Sequence, residues 1–358
     1  MTASTLIYRA AARTLARLFL AGPGVRTVSI RRSVAAGEAS FPWSDLDLAI
    51  VMDEPSGEAM LELRRRFRRA RAAFPRLGEC QVFTPEDLRE IAATDPYRSS
   101  LDRRFGVTVW GEPPEIPVTP LPPLQAARRL VFWFERFVPW AMGQGSRRNQ
   151  RKFALEMANA LGVLEGRWAE PLARRDETAR RWGRLGDDWY GACFELAARA
   201  HRQLRPPAPR LSRPLALPGL LVVPSASEAP RDGSKAVTPE VLDLLLQTQN
   251  PWLWRENGDR LAEAGFEEPS QWSWMEAARR WAAGERLRGP GFLESGAEAA
   301  VSRLNKAARI LGRTPPVAPD RLTLESFYLE AYDEFRLQAA ALREEARRRT
   351  PSAKSAAT

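Results

Sequence analysis

Two aspartates one residue apart, Asp45 and Asp47, open the apolar run 46–52. Strand side chains alternate, so in a strand both carboxylates lie on one face while Leu46 and Leu48 turn to the core. Two acids this close repel unless a cation neutralises them. Magnesium, a hard ion that takes carboxylate and phosphate oxygens, suits such a pair. Ser33 stands 12 residues before Asp45 in SIRRSVAAGEASFPWSDLDLAIVM, and Gly37 eases the turn between them. A loop of this kind presents hydroxyl and backbone N–H groups to a phosphate. A bare Asp-x-Asp ends many solvated strands. Its combination with Ser33, Gly37 and the intervening loop is what points to chemistry.

Holding these residues requires a small sheet. Strands are expected at 25–30, 46–52, 79–83 and 107–110, with a polar loop over 31–44. A helix over 5–21 precedes them, with Leu6, Ala10, Ala11, Leu15, Leu18 and Phe19 at helical spacing. That stretch carries arginines and no acids, as transit peptides do. It runs through Gly22-Pro23-Gly24 into the first strand, however, and is assigned to the domain. A helix over 58–74 carries the arginine run Arg64–Arg71, expected to be a solvated face. Thr84 caps the next helix, and Pro85 suits its first position.

The class is therefore α+β, a mixed-sheet domain over 1–117 followed by a mostly helical C-terminal region. That region divides into a helical bundle over 118–205, a Pro-rich linker or irregular segment over 206–237, and a second helical region over 238–349. The second region has helices expected near 271–286, 296–311 and 322–348. A disordered tail over 350–358 ends the chain.

The phrase Arg32-Ser33, a ten-residue loop and then Ser44-Asp45-Leu46-Asp47-Leu48 resembles the nucleotidyltransferases of the polymerase-beta-like superfamily. The resemblance covers about residues 5–117. It implies transfer of a nucleoside monophosphate from a nucleoside triphosphate, ATP in the first instance, to a hydroxyl acceptor. Asp45 and Asp47 would hold Mg²⁺, and Ser33 would bind the outer phosphates. In the family a glycine precedes the serine; here Arg32 stands there, either holding a phosphate itself or altering the loop so that nucleotide is not bound. The family's third acid aligns with Gln81. Glu79, one pleat away on the same face, is the substitute, with an exposed acid at a strand start as the plain alternative. Lys152, at the start of a helix after the sheet domain, matches the place from which related enzymes reach the triphosphate. A solvated helix start is the plainer reading of it. A second overall reading keeps the fold without catalysis, as a binding or regulatory module for an RNA or protein partner.

Composition narrows the alternatives. The net charge of +10 comes from fifty arginines and only four lysines, a bias that reads as coding preference more than as a nucleic-acid groove. Two cysteines, Cys80 and Cys193, exclude a disulfide scaffold and suit a reducing cytoplasm. No apolar run is long enough to span a membrane. His201, the single histidine, has no partner at a metal or nuclease spacing and is assigned a structural role. The tryptophans, among them Trp252, Trp254, Trp272, Trp274 and Trp281, are assigned to helix packing rather than to base stacking.

Overall fold

The computed structural model describes residues 2–118, the short strands Leu215–Leu217 and Leu220–Val223, and the main helices and isolated positions between 254 and 349. Apart from Val118 and Glu156, the bundle expected at 118–205 lies outside the described residues, as do Lys152, Cys193 and His201.

Four strands make one mixed sheet: β1 (Val25–Ile30), β2 (Leu46–Met52), β3 (Leu77–Phe83) and β4 (Val107–Gly111). The order is β3-β2-β1-β4, with β1 antiparallel to β2 and β4 and β2 parallel to β3. The parallel pair needs a crossover, and α3 (Gly57–Ala73) supplies it, capped by Ser56 through the N–H of Ala59. β2 is central and buried at every position but Asp47, as its otherwise apolar run requires. The architecture is α+β.

The opening helix forms as α1 (Ala3–Leu15) and then continues as a π-wound turn over Ala16–Leu20, but it buries a different face from the one expected. Thr5, Tyr8, Ala12 and Leu15 face inward, whereas Leu6 and Leu18 are 51% and 69% exposed. Tyr8 decides the rotation. Its ring meets Phe41 and Phe74 edge-on at 5.7 and 6.0 Å, and its hydroxyl donates to the Ser44 carbonyl. The π turn then shifts the helical phase, so Leu18 falls outside the stripe.

The loop expected over 31–44 contains a four-residue helix, α2 (Arg32–Ala35). The cap at Thr84 is present and reciprocal: its Oγ1 accepts the N–H of Asp87, and Asp87 Oδ2 accepts the N–H of Thr84. The helix it starts is α4 (Pro85–Thr94), and Asp95-Pro96 separates it from α5 (Pro96–Phe105), a break the sequence reading passed over. The apolar run near 220 pairs as a hairpin with 215–217, with Leu217 opposite Leu220.

Toward the C-terminus follow α6 (Glu267–Ala282), α7 (Ala297–Ile310) and α8 (Arg321–Arg349). The chain divides into two compact units: residues 1–94, 98–119 and 275–358 form one, and residues 95–97 and 120–274 the other. In the first unit α8 buries Tyr328, Tyr332, Phe335, Ala339 and Leu342, a stripe at helical spacing. The Trp281 ring packs 4.6 Å from that of Phe335. Trp254, in the second unit, is also fully buried, so these two tryptophans are core residues. The arginine run on α3 is less solvated than expected. Arg65 bonds Glu325 of α8 at 2.8 Å, and of the run only Arg68, Arg69 and Arg71 are exposed. Among the described residues no helix is long and apolar enough to cross a membrane.

A buried charge cluster ties α8 to α4. Asp87 receives Arg288 at 2.5 Å and Arg343 at 3.0 Å, and Glu90 receives Arg343 at 2.7 Å. Burial pushes the Glu90 carboxyl up to about 7; Arg343 pulls it down, and the Asp87 and Glu86 carboxylates push it up further. Because the folded value lies above the ordinary 4.5, the folded state holds the extra proton. The stability this group contributes is complete below pH 4.5 and is lost as pH rises through about 7. The shift amounts to on the order of 3 kcal/mol across that window. Urea unfolding of Glu90→Gln at several pH values is expected to show a flatter pH dependence than wild type; an unchanged slope would place the titration elsewhere.

Candidate active site

The site grows from the junction of β2 with β3. The parallel ladder slips between the pairs Leu46–Leu77 and Leu48–Cys80, so β3 carries one extra residue there. The slip leaves the N–H of Glu79 for a side chain, and Asp47 Oδ1 accepts it at 3.0 Å. Gly78 occupies the same irregularity. A Cβ built on it would lie 2.8 Å from Asp47 Oδ1 and 2.9 Å from Asp45 Cβ. Asp45 and Asp47 therefore flank one point on β3, as their alternation along β2 implies. Any side chain at Gly78 would push the two acids away from that point.

The approach to Asp45 is fastened from three sides. Ser44 Oγ accepts the N–H of Ser40, the N–H of Ser44 returns to the Ser40 carbonyl at 2.8 Å, and Tyr8 holds the Ser44 carbonyl. Asp45 itself is exposed, whereas Asp47 is 15% exposed. Burial raises the Asp47 carboxyl above the usual carboxylate range. Arg32 and the Glu79 N–H work against that rise, and the Glu79 and Asp45 carboxylates add to it. Among the described residues no three acidic, histidine or cysteine side chains enclose a point where a metal could sit. The oxygens present do suit a hard ion held by one or two carboxylates, with its other ligands coming from water and substrate phosphates.

Glu79 shares the face of β3 with Gln81, as the pleat requires. Gln81 Nε2 donates to Glu79 Oε1 at 2.6 Å. Gln81, at the position of the expected third acid, is buried, and its Oε1 accepts Arg31 Nη1 at 2.5 Å and also accepts Arg98. Arg31 in turn holds Asp102 through Nε at 2.9 Å and Nη2 at 2.5 Å. Burial by itself lowers the Arg31 pKa, but the Asp102, Glu79 and Asp47 carboxylates outweigh it and raise the value. A chain of contacts from Asp102 through Arg31 and Gln81 thus fixes Glu79.

Arg32 takes the other oxygens of the same acids. It leaves β1 with φ 55°, the left-handed region that favours glycine, so the backbone keeps a glycine-like turn under a long side chain. Its guanidinium meets Glu79 Oε2 at 2.7 Å and Asp47 Oδ2 at 3.4 Å. Ser33 follows in the first turn of α2, where its carbonyl accepts the N–H of Glu38 at 2.8 Å.

The structure thus brings Arg32, Asp45, Asp47 and Glu79 together, with Ser33 next in the chain to Arg32, while Lys152 lies outside the described residues. Gly78, Arg31, Arg98 and Asp102 were missed by sequence reasoning. Only Gly78 had a local signal, a glycine directly before the acid of the adjacent strand. No protein-family model matches the chain, and no curated protein matches it.

Proposed function

We propose that this chain is a Mg²⁺-dependent nucleotidyltransferase that moves a nucleoside monophosphate from a nucleoside triphosphate to a hydroxyl acceptor. The observation that carries the reading is the convergence of Asp45 and Asp47 on Gly78, with Glu79 on the neighbouring strand bonded to Asp47. Asp45 and Asp47 would hold the ion, which when bound neutralises charge on the triphosphate. Ser33 and Arg32, at the start of α2, would take the outer phosphates. Glu79, oriented by Gln81, would accept the proton of the acceptor hydroxyl as its oxygen bonds the α-phosphorus. The bond to the β-phosphate oxygen breaks, and pyrophosphate leaves. Most of the acceleration in such transfer comes from positioning and charge neutralisation. The two-cysteine composition suits a cytoplasmic enzyme.

The test is thermal melting of the purified protein with each of the four nucleoside triphosphates, with and without Mg²⁺. A stabilisation that needs both is expected, about 3 kcal/mol at a ligand concentration 100 times Kd. No shift with any nucleotide would sink the proposal. Arg32 favours a second reading, because a guanidinium already paired with Asp47 and Glu79 suits a fold that keeps its acids as structure. On that reading nucleotide leaves the melting temperature unchanged, and an RNA or protein partner co-purifies.

A further inference from the structure

We propose that Arg32 is a built-in competitor for the cation of the acid pair, so that the site rests closed by its own guanidinium and opens when Arg32 swings away. The inference rests on the metal reading above. Its basis is the asymmetry between the two sides of the site. Asp47 is held by the Glu79 N–H, and Glu79 Oε1 is held by Gln81, which Arg31 and Arg98 hold in turn. The acids are thus fixed on β2 and β3. Arg32 is 49% exposed, and among the described residues its side chain bonds Asp47 and Glu79. When the cluster rearranges, the guanidinium is the part that moves.

One guanidinium bridges carboxylates from two adjacent strands, the charge balance a divalent ion would otherwise provide. Three acids, Asp45, Asp47 and Glu79, would repel in its absence. A divalent ion arriving alone must displace Arg32 and leave the guanidinium without its carboxylates. A triphosphate arriving with the ion gives the same guanidinium an anionic partner of suitable geometry. The backbone makes the competitor separable from the fold: with φ 55° at residue 32, Arg32→Gly removes the side chain at a position where glycine is at ease.

The experiment is titration with Mn²⁺ alone, followed by the loss of the free-ion electron paramagnetic resonance signal. It uses the full chain as wild type, Arg32→Gly, Arg32→Lys, and Arg32→Gly combined with Asp45→Asn and Asp47→Asn. Arg32→Gly is expected to bind Mn²⁺ at least tenfold more tightly than wild type, Arg32→Lys to stay near wild type, and the triple variant to lose the gain. Equal affinity in wild type and Arg32→Gly overturns the competition and leaves the acid-pair reading standing. A gain that persists in the triple variant also overturns it, because the ion is then bound elsewhere. No Mn²⁺ binding at millimolar concentration in wild type or Arg32→Gly overturns the metal reading, and the competition falls with it.

Discussion

The Asp45→Asn/Asp47→Asn double variant is expected to lose the proposed nucleotidyl transfer by at least about 10³-fold, the scale set when groups that neutralise transition-state charge are removed. It should lose this without losing the fold. Asparagine keeps an Oδ1 that can accept the Glu79 N–H, and its volume leaves the contact with Gly78 unchanged. Neutralising Asp47 also removes a charge that burial and two neighbouring acids oppose. The folded carboxyl titrates above its unfolded value, so the stability linked to it is present at low pH and lost as pH rises through the folded value. Replacing the carboxylate should therefore not cost stability on this account, and the variant should melt near the wild-type temperature. The checks are single-turnover transfer with Mg²⁺ and the four nucleoside triphosphates, and melting by circular dichroism. Retained turnover would show that the aspartates are the solvated end of a strand. A collapse in melting temperature would show that they are structural.

What the sequence made legible was local. Apolar runs bounded by turn residues gave β1 and β2 at their observed limits, and the Thr84 cap appears with Asp87 closing it from the other side. The pair Asp45 and Asp47 was readable because alternation along one strand settles which face each side chain takes. The first helix was misread because its aliphatic row was taken as the buried stripe, when a tyrosine with a partner 36 residues away set the rotation. The support of the site was hidden for the same reason. Arg31 finds Asp102 over 71 residues and Gln81 over 50, and nothing in the local pattern of either marks the pairing. Glu79 could be nominated from its place on the strand, but its fixation by Gln81 depends on two arginines brought in by other elements. Position 32 held both kinds of information. The family resemblance marks it as a glycine site, and the backbone keeps the glycine conformation. Only the folded chain shows that the arginine lies across the acids it would be expected to leave to a metal.

Asp87→Ala is expected to be among the most destabilising substitutions in the described part of the molecule. The side chain is fully buried and satisfies three donors: Arg288 at 2.5 Å, Arg343 at 3.0 Å and the Thr84 N–H at 2.7 Å. Those donors come from positions 201 and 256 residues away and from the cap of its own helix, so one carboxylate joins α4, α8 and the segment before α7. Removing it takes the Asp87 carboxylate away from Arg288, which is 2% exposed. Breaking a buried pair in this way costs about 3–5 kcal/mol, and loss of the cap bond adds about 1 kcal/mol. Against a total stability of roughly 5–15 kcal/mol, that is enough to unfold a substantial fraction of the protein. The control is Asp53→Ala. Its pair with Arg26 is 3.1 Å long but lies in solvent, with side chains 63% and 52% exposed, so its loss should cost less than about 1 kcal/mol. Urea unfolding of both variants at pH 7 separates the cases. A loss below about 1 kcal/mol for Asp87→Ala would mean that α8 is held to α4 by its apolar stripe. The expected large loss would make the C-terminal helix part of what keeps the β3–α4 segment, and with it Glu79, in place.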